Sequence, residues 1–361
     1  MNVLQEKRKE INQIDMEMAK LFERRLRACE GVAEYKKEHA LPILDATREA
    51  EMIAKGVERM EDETLREYYV SFLKEVIKTS RAYQSRLLEG MRVVYSGAEG
   101  AFGHMAAKKA FPHATTQSSA DFAEAYRAVE DGTCDCAVLP IENSYAGDVG
   151  TVMDLMFKGN LYVSRMIELE VSHCLIAAKG VSLDQIKTVV SHPQALDQCS
   201  EFISSNGLQT LTYANTALAA EYVAKSGDKT LAAIASAEAA QTFGLEVLAK
   251  GIQTSSGNTT RFAVLSRAQT LPAPTDRTGQ EHFMLMFTTK NEAGALVQPL
   301  NILGAHNFNM RTLISRPMKD SAWSYYFFVE AEGNINTTSG QDMMRELSAV
   351  CSKLKLLGSY R

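Results

Sequence analysis

No C-x-x-C pair occurs among the six cysteines (Cys29, Cys134, Cys136, Cys174, Cys199 and Cys351), and the seven histidines are never spaced H-x-x-x-H or H-E-x-x-H. Reduced thiols and no structural metal are therefore expected. No stretch approaches 18 uncharged apolar residues, and Met1 to Asp15 is too polar to hold the apolar core of a signal peptide, so a cytoplasmic protein without a membrane partner is expected. Charge of one sign is also lacking. With 39 basic and 44 acidic residues the net charge is −5, which is no footprint for nucleic acid.

What the chain does have is a break. Of its charged residues, 35 lie in residues 1–90 and 48 in residues 91–361, about 39% against 18%, while 3 of the 22 glycines lie before residue 91 and 19 after it. At 361 residues the chain has length for two or three domains, and its physical class changes near Gly90 from surface-rich helix to mixed α/β.

In the front part Ile11, Ile14, Met18, Leu21, Cys29 and Val32 recur at three- and four-residue spacing, which predicts one long helix over 4–37. Pro42 breaks it, Asp45 or Thr47 can cap a second helix to about Arg59, and Leu65, Tyr69, Phe72, Val76 and Leu87 mark a third ending near Gly90. Polar residues interrupt these apolar stripes. Arg25 and Lys36 fall on the face that should be buried, Ser80 and Gln84 sit in phase between Val76 and Leu87, and Asp45, Arg48 and Glu49 open the short helix. Buried cations need an anion. Arg8 lies about 25 Å from Arg25 and about 42 Å from Lys36 along one helix, so it is either an ordinary surface arginine or it enters the pocket of a second, antiparallel chain.

These residues resemble the all-helical chorismate mutase family, whose dimeric pocket binds a dicarboxylate. Its eight pocket positions fall on Arg8, Arg25, Lys36, Asp45, Arg48, Glu49, Ser80 and Gln84. The resemblance implies a homodimer in which Arg8 serves the partner's pocket. The arginines would hold two carboxylates, Lys36 and Gln84 would donate to the ether oxygen, and Glu49 and Asp45 would meet the substrate hydroxyl side. A pericyclic rearrangement of this kind needs only a folded substrate and a stabilised ether oxygen.

Beyond Arg92, apolar runs at 93–95, 137–139, 174–176, 189–190, 231–234 and 262–265 alternate with helical stretches, which predicts a mostly parallel sheet with ligand sites at strand ends. A glycine loop, Gly97 to Gly103, follows the first run in a spacing that is neither G-x-G-x-x-G nor a Walker A loop, and its backbone N–H groups would suit a carboxylate. Later runs lead into Pro140-Ile141-Glu142-Asn143-Ser144 and Ser191-His192-Pro193-Gln194, and Asn258-Thr259-Thr260-Arg261-Phe262 opens the last one. In this order and spacing they resemble the prephenate dehydratase family. The resemblance implies two α/β lobes of the periplasmic-binding-protein type with prephenate in the cleft between them. Thr260 would donate or relay the proton, Arg261 would be its electrostatic neighbour and a carboxylate holder, and Glu142, Asn143, Ser144, Gln194 and Phe262 would be cleft residues. The family's glycine loop reads Gly-Pro-x-Gly, then Thr or Ser, an aromatic residue and Ser or Thr; Ala98 stands here at the proline, and Ala101 and Gly103 lack the two hydroxyls.

After a proline-containing linker, Leu271 to Asp276, the pattern reads strand 282–289, helix 296–306, strands 310–315 and 323–330, helix 341–350 and strand 354–360, a βαββαβ ferredoxin-like α+β sandwich. Gly294-Ala295-Leu296-Val297 and Ser315-Arg316-Pro317 resemble the paired motifs of the amino-acid-binding ACT family, with Ile314 where a glutamate is usual. The chain as a whole resembles the bifunctional chorismate mutase/prephenate dehydratases of phenylalanine biosynthesis. The expected domains are residues 1–90, 91–270 and 280–361, with chorismate and prephenate as substrates, phenylalanine as effector and no cofactor. The alternative is a mutase joined to an inactive, amino-acid-sensing dehydratase-like region.

Overall fold

A computed structural model describes residues 2–255, 257–269, 281–318 and 324–361. The expected linker, Leu271 to Asp276, and Trp323 at the predicted start of a strand lie outside the described residues. The chain divides into two compact units, residues 1–92 and 93–361. No helix among the described residues is long and apolar enough to cross a membrane.

The first unit consists of α1 (Val3–Glu38), α2 (Ala46–Glu58) and α3 (Arg66–Glu89), with one 3-10 turn (Glu63–Leu65) ahead of α3. Asp45 is the cap of α2, its carboxylate accepting from the Arg48 amide at 3.0 Å. Gly56 allows α2 and α3 to touch, since a Cβ there would lie 2.4 Å from a methyl of Leu73. Most of the apolar stripe of α1 is uncovered within the chain. Ile11, Ile14, Met18 and Leu21 are 55%, 49%, 42% and 59% exposed, and only Ala33 is buried along the whole helix.

The second unit begins with a lobe made of β1 (Arg92–Ser96), α4 (Phe102–Ala110), β2 (Thr115–Ser119), α5 (Phe122–Glu130), β3 (Cys136–Asn143), β4 (Gly147–Asp148), α6 (Gly150–Lys158) and β5 (Tyr162–Glu170). The chain then crosses to a second lobe of β6 (Cys174–Ala177), β7 (Thr188–Ser191), α7 (Pro193–Gln198), α8 (Ser200–Ser205), β8 (Gln209–Thr212), α9 (Thr216–Ser226), β9 (Leu231–Ala235), α10 (Ala237–Phe243) and β10 (Glu246–Lys250). It returns as β11 (Thr259–Ser266), which inserts between β3 and β5. The strand orders are β2-β1-β3-β11-β5 and β10-β6-β9-β7-β8. Neither sheet is mostly parallel, which corrects the reading from strand–helix alternation: β11 runs antiparallel to both β3 and β5, and β6 is antiparallel to β9 and β10. The two crossovers make antiparallel neighbours of the strands that enter and leave the second lobe.

The C-terminal part is β12 (His282–Thr288), α11 (Val297–Ala305), β13 (Asn309–Pro317), β14 (Tyr325–Glu332), α12 (Thr338–Val350) and β15 (Lys353–Tyr360), with strand order β13-β14-β12-β15. This is the expected βαββαβ sandwich. One face of its sheet packs under α11 and α12, around Phe283, Leu285, Leu303, Val329 and Leu347. The other face joins the core of the first lobe, where Met284, Met286, Tyr326, Phe328 and Leu357 pack with Ile141, Met153, Phe157, Val163 and Leu265. Ile314, at the position where a glutamate is usual, packs against this shared core.

At Gly358 the approach of β15 to β5 is closest. Its φ is +151°, and a Cβ would fall 2.0 Å from the carbonyl oxygen of Val163. Gly358→Ala should therefore destabilise the second unit by about 3 kcal/mol, because strain and overlap add at a position with no room to relax. Chemical denaturation followed by circular dichroism measures this, and an unchanged midpoint would contradict the close contact.

Candidate functional site

Two regions of chemistry emerge, one in each unit. In the helical unit the Arg25 guanidinium, half-buried, donates to the Ser80 hydroxyl of α3, and Ser80 in turn donates to the Val76 carbonyl at 2.8 Å. Lys36 donates to the Ile43 carbonyl at 2.6 Å. Glu49 takes both carboxylate oxygens to one Arg81 nitrogen, at 3.0 and 3.2 Å. Arg81 escaped the sequence reading, although it stands beside Ser80 and three residues before Gln84. The Gln84 side-chain oxygen is buried with no partner among the described residues. Arg25, Lys36, Glu49, Ser80 and Gln84 are thus all at least partly buried, whereas Asp45, Arg48 and Arg8 are exposed.

In the second unit the lobes enclose a cleft of about 580 Å³. Asn143, Gln194, Thr260 and Phe262 line it, with Gln198, Asn215, Asn258 and His173. The first turns of α4, α5, α6, α7 and α9 also reach its wall, through Phe102, Phe122, Gly150, Gln194 and Thr216. Among the described lining residues there is no lysine or arginine.

Local backbone geometry sorts the two strand motifs into faces. Side chains alternate along a strand, so Thr260 and Phe262 face the cleft and Arg261 faces away. On β3, Asn143 and Pro140 both line the cleft although they are three residues apart, which strict alternation forbids. A bulge resolves this: Arg261 pairs with Glu142 and Phe262 with Pro140, leaving Ile141 as the extra residue, pointed into the core. Pro140, which has no N–H to give the ladder, sits where the register shifts.

The cleft face carries a hydrogen-bond chain whose polarity can be worked out. The Asn143 side-chain oxygen accepts the amides of Tyr145 and Ala146 at 3.0 and 2.9 Å, an Asx turn that fixes its NH₂ group towards Asn258 Oδ1 (2.7 Å) and Thr260 Oγ1 (2.9 Å). Thr260 is thereby an acceptor on its protein side, which leaves its own proton for a group in the cleft. Asn258 donates to Gln198 Oε1 at 3.2 Å, and the same oxygen lies 2.8 Å from His173 Nε2, so that nitrogen carries a hydrogen. Burial holds His173 below its ordinary range, against the opposing bond to Gln198. Burial thus favours the neutral imidazole. His173 and Gln198 were missed in the sequence because a lone histidine before an apolar run, or a glutamine inside a short helix, carries no spacing signal.

Three expected cleft residues are redirected. Arg261 donates to Glu142 Oε2 at 3.0 Å and to both oxygens of Glu330 on β14, at 2.8 and 2.7 Å, and also reaches the Tyr360 hydroxyl of β15 at 3.1 Å. It lies on the reverse of the strand that carries Thr260 and is not among the described residues that line the cleft. Glu142 faces Arg261 for the same reason. Ser144 accepts the Thr259 amide at 2.9 Å and locks the turn after β3. Arg316 makes the reciprocal contact from the C-terminal sheet, pairing with Asp148 at 2.7 Å and Asp154 at 3.3 Å, over Gly150, where a Cβ would collide with the guanidinium.

The glycine loop bridges the lobes. Gly100, at φ +82°, rests on Ala239 of α10, and its carbonyl accepts from the Ser236 hydroxyl at 2.8 Å. Phe102 and Gly103 reach the cleft, while Ala98 and Ala101 do not.

Comparison with known proteins agrees with this division. The family model for chorismate mutase type II matches residues 7–85, and that for prephenate dehydratase matches residues 93–270. A bifunctional chorismate mutase/prephenate dehydratase of Buchnera aphidicola is 31% identical over 373 residues, covering 98% of this chain and 95% of its own. The chain belongs to the bifunctional chorismate mutase/prephenate dehydratase family. Both activities therefore reside in one polypeptide, the mutase matching the helical unit and the dehydratase the two lobes. Among solved structures, the prephenate dehydratase of Arthrobacter aurescens in complex with L-Phe is 26% identical, with a TM-score of 0.68 over 75% of this chain and 89% of that one. GqqA, described as a novel type of quorum-quenching acylase, is 32% identical with a TM-score of 0.69, over 74% of this chain and 97% of that one.

In this chorismate mutase/prephenate dehydratase, Glu330 makes acid stability testable. Burial raises its pKa, but the bonds from Arg261 and Tyr360 outweigh burial, and the net position is below the ordinary 4.5. A carboxylate whose pKa is lower folded than unfolded stabilises fully above about pH 4.5 and loses that contribution as pH falls further. Glu330→Gln should flatten the fall in melting temperature of the second unit between about pH 4.5 and 3. A slope equal to that of the parent would contradict the pairing.

Proposed function

We propose that chorismate is rearranged in a pocket shared by two copies of the helical unit. Arg25, Arg48 and the partner's Arg8 hold the carboxylates, Ser80 fixes Arg25, Lys36 and Gln84 meet the ether oxygen, and Asp45 and Glu49 meet the hydroxyl side. One observation supports this: the exposed apolar stripe of α1, which a second copy can cover. Glu49 is held by Arg81 meanwhile. In this reading Lys36→Ala lowers mutase kcat by about 100-fold or more, as loss of a donor to developing negative charge does. Mixed inactive Arg8→Ala and Lys36→Ala chains recover partial activity after subunit exchange, because one hybrid pocket is intact. Absence of recovery, with exchange verified, would remove the shared pocket.

Prephenate then occupies the cleft of the second unit, with Thr260 as the proton donor to the departing hydroxyl. The observation that carries this reading is the bond from Asn143, which turns the Thr260 proton toward the cleft. With no lysine or arginine among the described lining residues, the two carboxylates fall to the amide side chains of Gln194, Asn215 and Asn258, and to the positive ends of α4, α6 and α9. Ring aromatisation supplies the driving force, so proton delivery and orientation are the protein's share. The C-terminal sandwich is read as an ACT-type domain that takes phenylalanine near Gly294, Ala295, Leu296 and Val297 and lowers dehydratase activity, with Ser315, Arg316 and Pro317 linking that domain to the lobe. Arg316 in its contacts with Asp148 and Asp154 supports the link. The domain limits proposed are 1–90, 91–270 and 280–361.

The deciding experiment feeds chorismate alone to the purified chain and follows phenylpyruvate. Thr260→Ala should stop the sequence at prephenate, with dehydration reduced by about 100-fold or more and mutase turnover preserved. Dehydration at the parent rate in that variant would end the proton-donor role.

A further inference from the structure

We infer that Glu330 and Tyr360 of the C-terminal sandwich are positioning residues for the dehydratase: by gripping Arg261 they set the Thr260–Asn143 pair, and this grip carries the domain's influence on the cleft. The argument is one of adjacency on two paired strands. Thr260 pairs with Asn143 across the β11–β3 ladder, and Arg261 pairs with Glu142 in the next position. Arg261 bonds Glu142, so both residues behind the Thr260–Asn143 hydrogen bond are tied together. The C-terminal domain holds that tie by a two-point bond from Glu330, fully buried, and by Tyr360, whose hydroxyl bonds both Glu330 and Arg261. A charged pair with so many fixed partners does not deform gradually; it stays in register or it breaks. A shift of β14 against β11 must therefore reach Thr260 within one residue of backbone.

The effector part of this inference rests on the proposed phenylalanine reading; the positioning part does not. The test uses the full chain with Glu330→Gln, Glu330→Asp and Tyr360→Phe, measuring dehydratase kcat and KM with and without phenylalanine, phenylalanine binding by calorimetry, the thermal unfolding of the second unit as the control for its folding, and mutase turnover as the control for active protein. Glu330→Gln should lower dehydratase kcat about tenfold with KM within about twofold, as expected when a proton donor is misplaced while the groups that bind substrate stay where they are. Tyr360→Phe, which keeps the ion pair and removes one hydroxyl, should give a smaller change in the same direction, and Glu330→Asp should recover part of the loss. Where phenylalanine inhibits the parent, Glu330→Gln should still bind it but need at least about tenfold more for the same inhibition. Either the fall in kcat or the uncoupling of inhibition from binding supports the inference. Variants with active mutase, unaltered dehydratase kcat and, where the parent responds, unaltered inhibition would overturn it. A parent that neither binds nor responds to phenylalanine, together with a lowered kcat in Glu330→Gln, would retain the positioning role and remove the effector reading alone.

Discussion

A buried ion pair between Arg261 and Glu330 governs how the second unit is put together. A carboxylate sealed from water inside a sheet is tolerable only where a cation and further donors compensate it fully, and removal of one partner from such a pair costs about 3–5 kcal/mol. Glu330 meets that condition only while β14 lies against β11. Hydrophobic packing between the C-terminal sheet and the first lobe brings the surfaces together, but it is indifferent to small slides. The ion pair is not, because two parallel hydrogen bonds admit one register. Arg316, reaching the opposite way to Asp148 and Asp154, gives the junction a second fixed point. The sandwich is consequently a wall of the dehydratase rather than a module on a tether, and its core is continuous with the lobe's core.

In the proposed reading, a doubly charged substrate is accommodated in a cleft whose described lining residues include no lysine or arginine. Uncharged amides and the amino ends of helices present partial positive charge that is fixed by the fold, so it needs neither counter-ions nor reorganisation when the ligand is absent. Arg261 and Glu142 face the other way and meet the C-terminal sandwich at Glu330, while Asp148 lines the cleft and pairs with Arg316. The helical unit follows the other strategy. Arg25 is held by Ser80 and Lys36 by the carbonyl of Ile43, and Glu49 is paired with Arg81.

Much of the architecture was legible in the sequence, since helix periodicity, the cap at Asp45 and the six elements of the C-terminal sandwich are local properties. The direction of strands was not. Strand–helix alternation suggested a mostly parallel sheet, but β11 comes from the far side of the second lobe and enters antiparallel, a long-range event that no window of residues encodes. The motifs pointed to the right places on the chain, yet they could not assign faces. Thr260 and Arg261 are neighbours in sequence and opposites in space, and Glu142 and Asn143 likewise. Reading a motif as a cluster therefore set Arg261 on the cleft, whose described lining residues do not include it. His173, Gln198 and Arg81 stayed hidden because their significance lies in partners 25 to 32 residues away or more.

The bulge at Ile141 bears on how this segment can change over time. Loss or gain of one residue between Pro140 and Asn143 would exchange the two sides of the strand end in a single step, presenting a carboxylate to the cleft and an amide to the arginine behind it. Proton delivery and domain docking would fail together, with no intermediate in which one survives. Point substitutions can tune each function separately, but alterations of length here are all or nothing, so that catalysis and its structural support descend as one heritable unit.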